Sequence, residues 1–182
     1  FSPNSYFLLI GRLSYYKGVD VLIKALKNSN ILNRKILIIG KGEKDIEHLI
    51  SNFAKEKSNV TFINEFVSEK MKLDYIKNCY CLLFPSNFNS EAFGITQIES
   101  LSFAKPVINT NLDTGVPWVS LNNITGFTAK PGCAVSFSKC IEKMDNLSKD
   151  EYEFFCKNAK IRHKKLFENN VVKNQILDCF KS

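Results

Sequence analysis

A chain of 182 residues with 45% hydrophobic content fits a single packed domain, and no apolar run approaches the ~18 residues that a membrane-spanning helix needs. The net charge of +7 rests mainly on lysine, with arginine only at Arg12, Arg34 and Arg162. Such a balance suits phosphates, anionic lipid or nucleic acid and selects none of them.

No signal-peptide pattern opens the chain. It starts at Phe1 rather than Met and enters a strand-like run within a few residues, which reads as a fragment with sequence missing upstream. Tyr6-Phe7-Leu8-Leu9-Ile10 is continuously apolar and ends at Gly11, as expected of a strand buried on both faces of a parallel sheet. A loop from Gly11 to Gly18 follows. A helix comes next, with Val19, Leu22, Ile23 and Leu26 on one face. Ile36 to Ile39 predicts a second strand, closed by Gly40-Lys41-Gly42. Ile46, Leu49, Ile50 and Phe53 mark a second helix, with His48 off the stripe and read as a surface residue. Val60 to Ile63 predicts a third strand, and Ser68 can cap a helix running to about Asn78, with Glu69 in its first turn. Cys81 to Phe84 predicts strand four. Pro85 and a polar loop lead to a helix opening at about Gly94. Pro106 to Ile108 predicts strand five, Asn109 to Pro117 a loop, and Gly126 to Ala129 a short last strand. From about residue 134 the chain turns helical: Phe137, Cys140, Ile141 and Met144 share a face. Ser148-x-x-Glu151 forms a capping box, followed by Tyr152, Phe155, Cys156 and Ala159, and a last helix spans about Asn170 to Phe180.

The six cysteines (Cys79, Cys81, Cys133, Cys140, Cys156, Cys179) form no C-x-x-C, and His48 and His163 lie far from any pair of them. They read as buried, reduced thiols of a cytosolic protein rather than a zinc site. Regular alternation of strand and helix predicts an α/β domain: a Rossmann-like open parallel sheet with helices on both faces. Ligands of such sheets bind beyond the carboxyl ends of the strands. Arg12 and Lys17 follow the first strand, where two cations beside helix N-termini suit a diphosphate. Glu91 and Glu99 bracket the start of the helix after strand four. A rise of ~1.5 Å per residue puts roughly 7–8 Å between Gly94 and Glu99. The segment thus offers an acceptor, an anion site and a second acceptor, matching a ligand with hydroxyls at both ends and phosphate between, such as a nucleotide-sugar. Gly40-x-Gly42 has Asp45 at the third glycine position of a dinucleotide fingerprint, with Glu65 at about the spacing of its acidic partner.

The motifs Gly11-Arg12-Leu13 with Lys17-Gly18, Gly40-Lys41-Gly42, Pro85-Ser86, Glu91-Ala92-Phe93-Gly94 with Glu99, Lys105-Pro106-Val107-Ile108, and Thr114-Gly115 with Gly126 occur in order over about the first 130 residues. Through them the chain resembles the C-terminal, donor-binding domain of a GT-B retaining glycosyltransferase of family 4. That resemblance implies one half of a GT-B fold, with the N-terminal acceptor domain absent from this chain. It implies that Arg12 and Lys17 hold the donor diphosphate, that Glu91 binds hydroxyls of the sugar and that Glu99 binds the ribose. It further implies that the Ala92, Phe93, Gly94 and Ile95 segment and Gly11 line the donor, and that Phe66 and Val67 lie by the nucleobase. Asn64-Glu65 stands where a glycine is frequent, and Val116-Pro117-Trp118 where a further Glu is frequent.

The activity implied is transfer of a hexose or N-acetylhexosamine, with retention, from a nucleotide-sugar, a UDP-sugar ahead of GDP-mannose. The acceptor would be lipid-linked or a saccharide, in O-antigen or capsule synthesis. No metal or other cofactor is implied; the sequence contains no D-x-D. Location would be cytoplasmic, with peripheral contact at the inner face of the membrane. Lys157, Lys160, Arg162, Lys164 and Lys165 could touch anionic lipid, although a solvated helix face is the plainer reading. The competing classes are an NAD(P)-dependent Rossmann oxidoreductase, disfavoured by the broken fingerprint, and a basic nucleic-acid-binding module, for which no recognition motif appears.

Overall fold

The computed structural model describes residues 5–28 and 34–179. Among the described residues six strands form one parallel sheet: β1 (Tyr6–Ile10), β2 (Lys35–Ile39), β3 (Val60–Ile63), β4 (Cys81–Leu83), β5 (Val107–Thr110) and β6 (Gly126–Ala129). Their order is β3-β2-β1-β4-β5-β6. The chain builds outward from β1 to one edge, then returns to β4 and builds outward to the other. The direction reverses between β1 and β4, so the loops leaving these neighbours diverge and open a crevice at their carboxyl ends.

The apolar runs have a simple cause. β1 pairs with β2 on one side (Leu8 opposite Leu37) and with β4 on the other (Leu8 opposite Leu82), and all five of its residues are buried. Successive side chains alternate between the two faces. Phe7, Leu9, Ile36, Ile38, Cys81 and Leu83 enter one core with Leu22 of α1 (Val19–Lys27), Ile50 of α2 (Lys44–Glu56) and Phe137 of α6 (Ala134–Asp145). Tyr6, Leu8, Ile10, Leu37, Ile39 and Leu82 enter the other. There they meet Ile76 of α3 (Glu69–Asn78), Leu101 of α4 (Ile95–Ser102), Val116 of α5 (Val116–Val119) and Ala159 of α7 (Lys149–Leu166). The expected open sheet with helices on both faces is present.

Helix starts follow local chemistry. The Ser68 hydroxyl accepts from the Met71 amide at 3.3 Å and opens α3. At α7 the Ser148 hydroxyl accepts from the Glu151 amide at 3.3 Å while the Glu151 carboxylate accepts from the Ser148 amide at 2.8 Å. The last helix, α8 (Asn169–Cys179), has no buried residue among those described; its expected end at Phe180 lies outside the described residues, as does Phe1.

The expected loop from Asn109 to Pro117 is wrong at both ends. Asn109 and Thr110 continue β5, and Val116 begins α5. Asn109 and Thr110 are polar yet buried. The Asn109 side-chain amide donates to Gln97 Oε1 at 3.0 Å and to the carbonyls of Val116 and Ser120 at 3.1 Å, while its oxygen accepts from Thr128 at 2.8 Å. A fully satisfied side chain can sit in a core strand, and composition alone reads it as loop.

The buried reading of the cysteines holds for Cys79, Cys81 and Cys140 only. All six are free thiols, but Cys133 and Cys156 are half-buried and Cys179, on α8 outside both cores, is exposed. The basic segment of α7 is only partly a solvated face. Lys160 donates to the Ser102 carbonyl, and Arg162 to the carbonyls of Val119 and Trp118, so these two cations tie α7 to the ends of α4 and α5. No described helix is long and apolar enough to cross a membrane.

Candidate functional site

The crevice between β1 and β4 is shaped first by backbone. After β1 the chain makes a single 3-10 turn, Tyr15–Lys17, ended by Gly18 at φ +68°. A Cβ at Gly18 would overlap the Pro85 carbonyl, so glycine lets the loops leaving β1 and β4 meet backbone to backbone. The Asn87 amide donates to the Tyr16 carbonyl at 3.1 Å across the same junction. The cleft beside it, about 200 Å³, is lined by Gly11, Arg12 and Lys17 on one side and by Pro85, Ser86 and Thr96 on the other.

Charge is concentrated there. Lys17 forms an ion pair with Glu91, and the two side chains are 24% and 11% exposed. The Lys17 ammonium also lies 5.3 Å from the Phe84 ring centroid and 5.2 Å from that of Tyr16. The Ser86 hydroxyl donates to the same Glu91 oxygen at 3.2 Å, and the Ser86 carbonyl accepts from Thr110 on β5. Glu91 is thus held from two directions, while Arg12 is exposed at the rim. Gly94, at φ +78° against the Phe84 ring, is the N-cap of α4. Among the described residues α4 has no side-chain cap and no acid in its first turn. The Gln97 amide donates to the Gly94 carbonyl at 2.9 Å, while the amides of Ile95 and Thr96, the first two of the helix, remain available to an anion.

Glu99 lies one to two turns further on and faces α3. Its Oε1 accepts from Lys72 at 2.7 Å, and its Oε2 is buried with no hydrogen-bond partner among the described residues. Phe66, 81% exposed, borders a neighbouring cleft of about 590 Å³ that shares Arg12 and Tyr16 with the first and adds Lys41, Gly42 and Glu47. Val67 instead packs against the second core. Ala92, Phe93 and Ile95 are exposed, and the Phe93 ring lies 5.5 Å from that of Trp118.

The structure therefore brings Gly11, Arg12, Lys17, Glu91 and the start of α4 to one crevice. It places Glu99 beside α3, Phe66 at the adjoining cleft and Val67 half-buried against the second core. The Gly40-x-Gly42 turn follows β2, one strand from the reversal. The Gly42 amide is already taken by Glu47 at 2.9 Å; this bond and one from Asn64 hold the Glu47 carboxyl below its ordinary pKa.

The supporting roles of four residues escaped the sequence reading. Ser86 and Thr110 position Glu91. Gln97, fully buried within α4, donates to the Phe93 carbonyl at 3.0 Å and joins the Asn109 network, anchoring the segment before the helix. Lys72 pairs with Glu99. Ser86, within the Pro85-Ser86 motif, is the one of this set that the sequence marked, and only the fold shows what it holds.

Comparison with known proteins adds to this geometry. The family model described as glycosyl transferases group 1 matches residues 2–162. D-rhamnosyltransferase WbpZ of Pseudomonas aeruginosa is 28% identical over 162 residues, covering 89% of this chain and 41% of that protein. O-antigen chain mannosyltransferase C of Escherichia coli is 26% identical over 164 residues, covering 90% of this chain and 43% of that protein. The chain thus spans about two fifths of the length of these curated relatives. Among solved structures, Anabaena HepE in complex with UDP-glucose has the same fold, with a TM-score of 0.82 at 19% identity over 98% of this chain and 49% of that one.

Proposed function

This chain belongs to the glycosyl transferases group 1 family, and we propose that it is the donor-binding half of a GT-B transferase of family 4. In this reading it moves a hexose or N-acetylhexosamine, with retention, from a nucleotide-sugar to a lipid-linked or saccharide acceptor in surface polysaccharide synthesis. The observation that carries the reading is the convergence of Arg12, Lys17, Glu91 and the uncapped N-terminus of α4 on the β1–β4 crevice. The WbpZ and mannosyltransferase C names support a hexose and an O-antigen context. The UDP-glucose bound to HepE supports a UDP-sugar donor, which we keep ahead of GDP-mannose.

The roles follow from charge. Transfer leaves a nucleoside diphosphate behind, so positive charge near the departing oxygen lowers the barrier. Arg12, Lys17 and the α4 amides supply that charge, and the reaction needs no metal. In the unliganded chain Lys17 is held by Glu91. A diphosphate entering the crevice takes Lys17, and Glu91 then accepts from hydroxyls of the sugar. Each such charge-assisted contact contributes about 1.5–3 kcal/mol. Glu91 stays engaged by the Ser86 hydroxyl and accepts from the sugar, so it orients the sugar rather than acting as a general base. Glu99 accepts from the ribose, and Phe66 covers the base. A crevice of about 200 Å³ is smaller than the ~300–1,000 Å³ of complete small-molecule sites. We assign the opposing wall, with the acceptor site, to an N-terminal domain of the whole protein. That protein would work in the cytoplasm, at the inner face of the membrane where a lipid-linked acceptor lies.

A thermal-shift panel of UDP, GDP, ADP and their sugars tests the reading, with NADH and random duplex DNA as comparators. A cognate ligand at ~100 times its dissociation constant stabilises by about 2.7 kcal/mol, or roughly 5–10 °C for a chain of this size. A shift with NADH or DNA and with no nucleotide or nucleotide-sugar overturns it.

A further inference from the structure

The segment that leads into α4 rests on α5. The Gly115 amide, just before α5, donates to the Ala92 carbonyl at 2.8 Å. The Gln97 side-chain amide donates to the Phe93 carbonyl at 3.0 Å and to the Val116 carbonyl at 3.3 Å, joining the two segments. The Phe93 ring lies against Gly115, where a Cβ would overlap it, and 5.5 Å from the Trp118 ring. Where the first amides of α4 point thus depends on where α5 sits. Yet α5 has only four residues, too few to hold a helical turn by its own hydrogen bonds. Buried Val116 and Val119 anchor one side of it. The other side is held from α7. Arg162 donates through Nε to the Val119 carbonyl at 2.8 Å, and through a second nitrogen to the Trp118 carbonyl. These are the last carbonyls of α5, which lack partners within so short a helix and favour a cation. The same guanidinium lies 5.2 Å from the Trp118 ring centroid, a stacked geometry that arginine suits and lysine does not. Five residues on, Phe167 stands its ring nearly perpendicular to those of Trp118 and Phe93, with centroids 5.6 and 6.4 Å away.

We infer that Arg162 is a positioning residue of the donor site: by clamping α5 and Trp118 from α7, it fixes the Ala92 to Gly94 segment and so aims the free amides of Ile95 and Thr96 at the donor's phosphate. The inference rests on the donor-site reading above and adds to it a side chain from a different layer of the fold. Arg162 does not line the crevice. Its effect passes through α5 to Phe93, and leaves the Arg12 and Lys17 side of the crevice untouched.

Calorimetric titration of the chain with UDP, GDP, UDP-glucose and GDP-mannose provides the test, read beside denaturant midpoints and the backbone amide resonances of the unliganded protein. Arg162→Met keeps the aliphatic stem and removes the guanidinium fork. It should weaken whichever of these ligands the unmodified protein binds by about tenfold, the worth of one hydrogen bond to a charged group. The amide resonances of Gly115, Phe93, Gly94 and Ile95 should move, while those of Gly11 to Lys17 stay in place. Arg162→Lys keeps the charge without the planar fork and should recover part of the affinity. Trp118→Leu removes the next link, should act in the same direction, and serves as the second variant if Arg162→Met does not fold. A lowered denaturant midpoint with affinity within about twofold of the unmodified protein would mark Arg162 as a structural clamp alone and overturn the inference. So would weakened binding with the resonances of Phe93 to Ile95 unmoved. If the unmodified protein binds none of the four ligands, the donor-site reading fails instead, and this role for Arg162 with it.

Discussion

At the scale of single residues, the proposed donor site makes separable demands on its two glutamates. Glu99→Ala should weaken nucleotide and nucleotide-sugar alike, by about 10- to 100-fold for a contact of 1.5–3 kcal/mol. Glu91→Ala should leave the bare nucleotide nearly unaffected and abolish the preference for its sugar conjugate; titration of both ligands against both variants shows whether the split exists. Gly18→Ala is expected to destabilise the fold by more than about 1 kcal/mol in chemical denaturation, since it meets both a positive φ and the Pro85 carbonyl. Arg12, Lys17, Glu91 and Glu99 could be picked from the sequence because each follows a strand that reads as buried, where a carboxyl-end ligand site must lie. Lys72 could not. It is 27 positions from Glu99, and nothing in its own neighbourhood marks it among many lysines. The role of Thr110 was hidden for the same reason, since its contact to the Ser86 carbonyl crosses from β5 to the loop after β4. Val67, named with Phe66 on the resemblance, is half-buried against the second core.

At the scale of elements, the start of α7 is the clearest case of sequence acting locally. Ser148 and Glu151 satisfy each other's backbone amides, so Ser148→Ala should cost about 1 kcal/mol of stability, read from denaturant midpoints. The pH dependence has a definite sign. The Ser148 side-chain and backbone hydrogen bonds hold the Glu151 carboxyl below its ordinary value of 4.5. A depressed folded-state pKa gives stability that is present above the unfolded value and lost as pH falls through the folded one. The difference in thermal midpoint between the unmodified protein and Glu151→Ala should therefore be greatest above about pH 4.5 and shrink in more acidic solution. Local signals of this kind located most helices. They found β5 but missed its end and α5, where Asn109 and Thr110 imitate a loop in composition but are held inside by Gln97, Thr128, the carbonyls of α5 and that of Ser86.

At the scale of the whole molecule, the alternation of apolar strands and amphipathic helices was enough to give a parallel, two-sided sheet. The placement of β4 beside β1 was not legible, because it depends on which strand the chain returns to rather than on any one segment. That placement produces the crevice. As the proposed half of a two-domain transferase, the chain should bind donor yet transfer it barely above background; a clear transfer rate from these 182 residues alone would contradict the division of labour. The donor site itself can be located by following backbone amide resonances through a titration with the nucleotide-sugar that gives the largest thermal shift. The geometry predicts the largest changes at Gly11 to Lys17 and at Phe93, Gly94 and Ile95, with a second group around Lys72 and Glu99. Changes centred instead on the distant clefts at Tyr6, Asp74 and Tyr75, or at Asn111, Asn122 and Lys130, with the β1–β4 crevice silent, would contradict it.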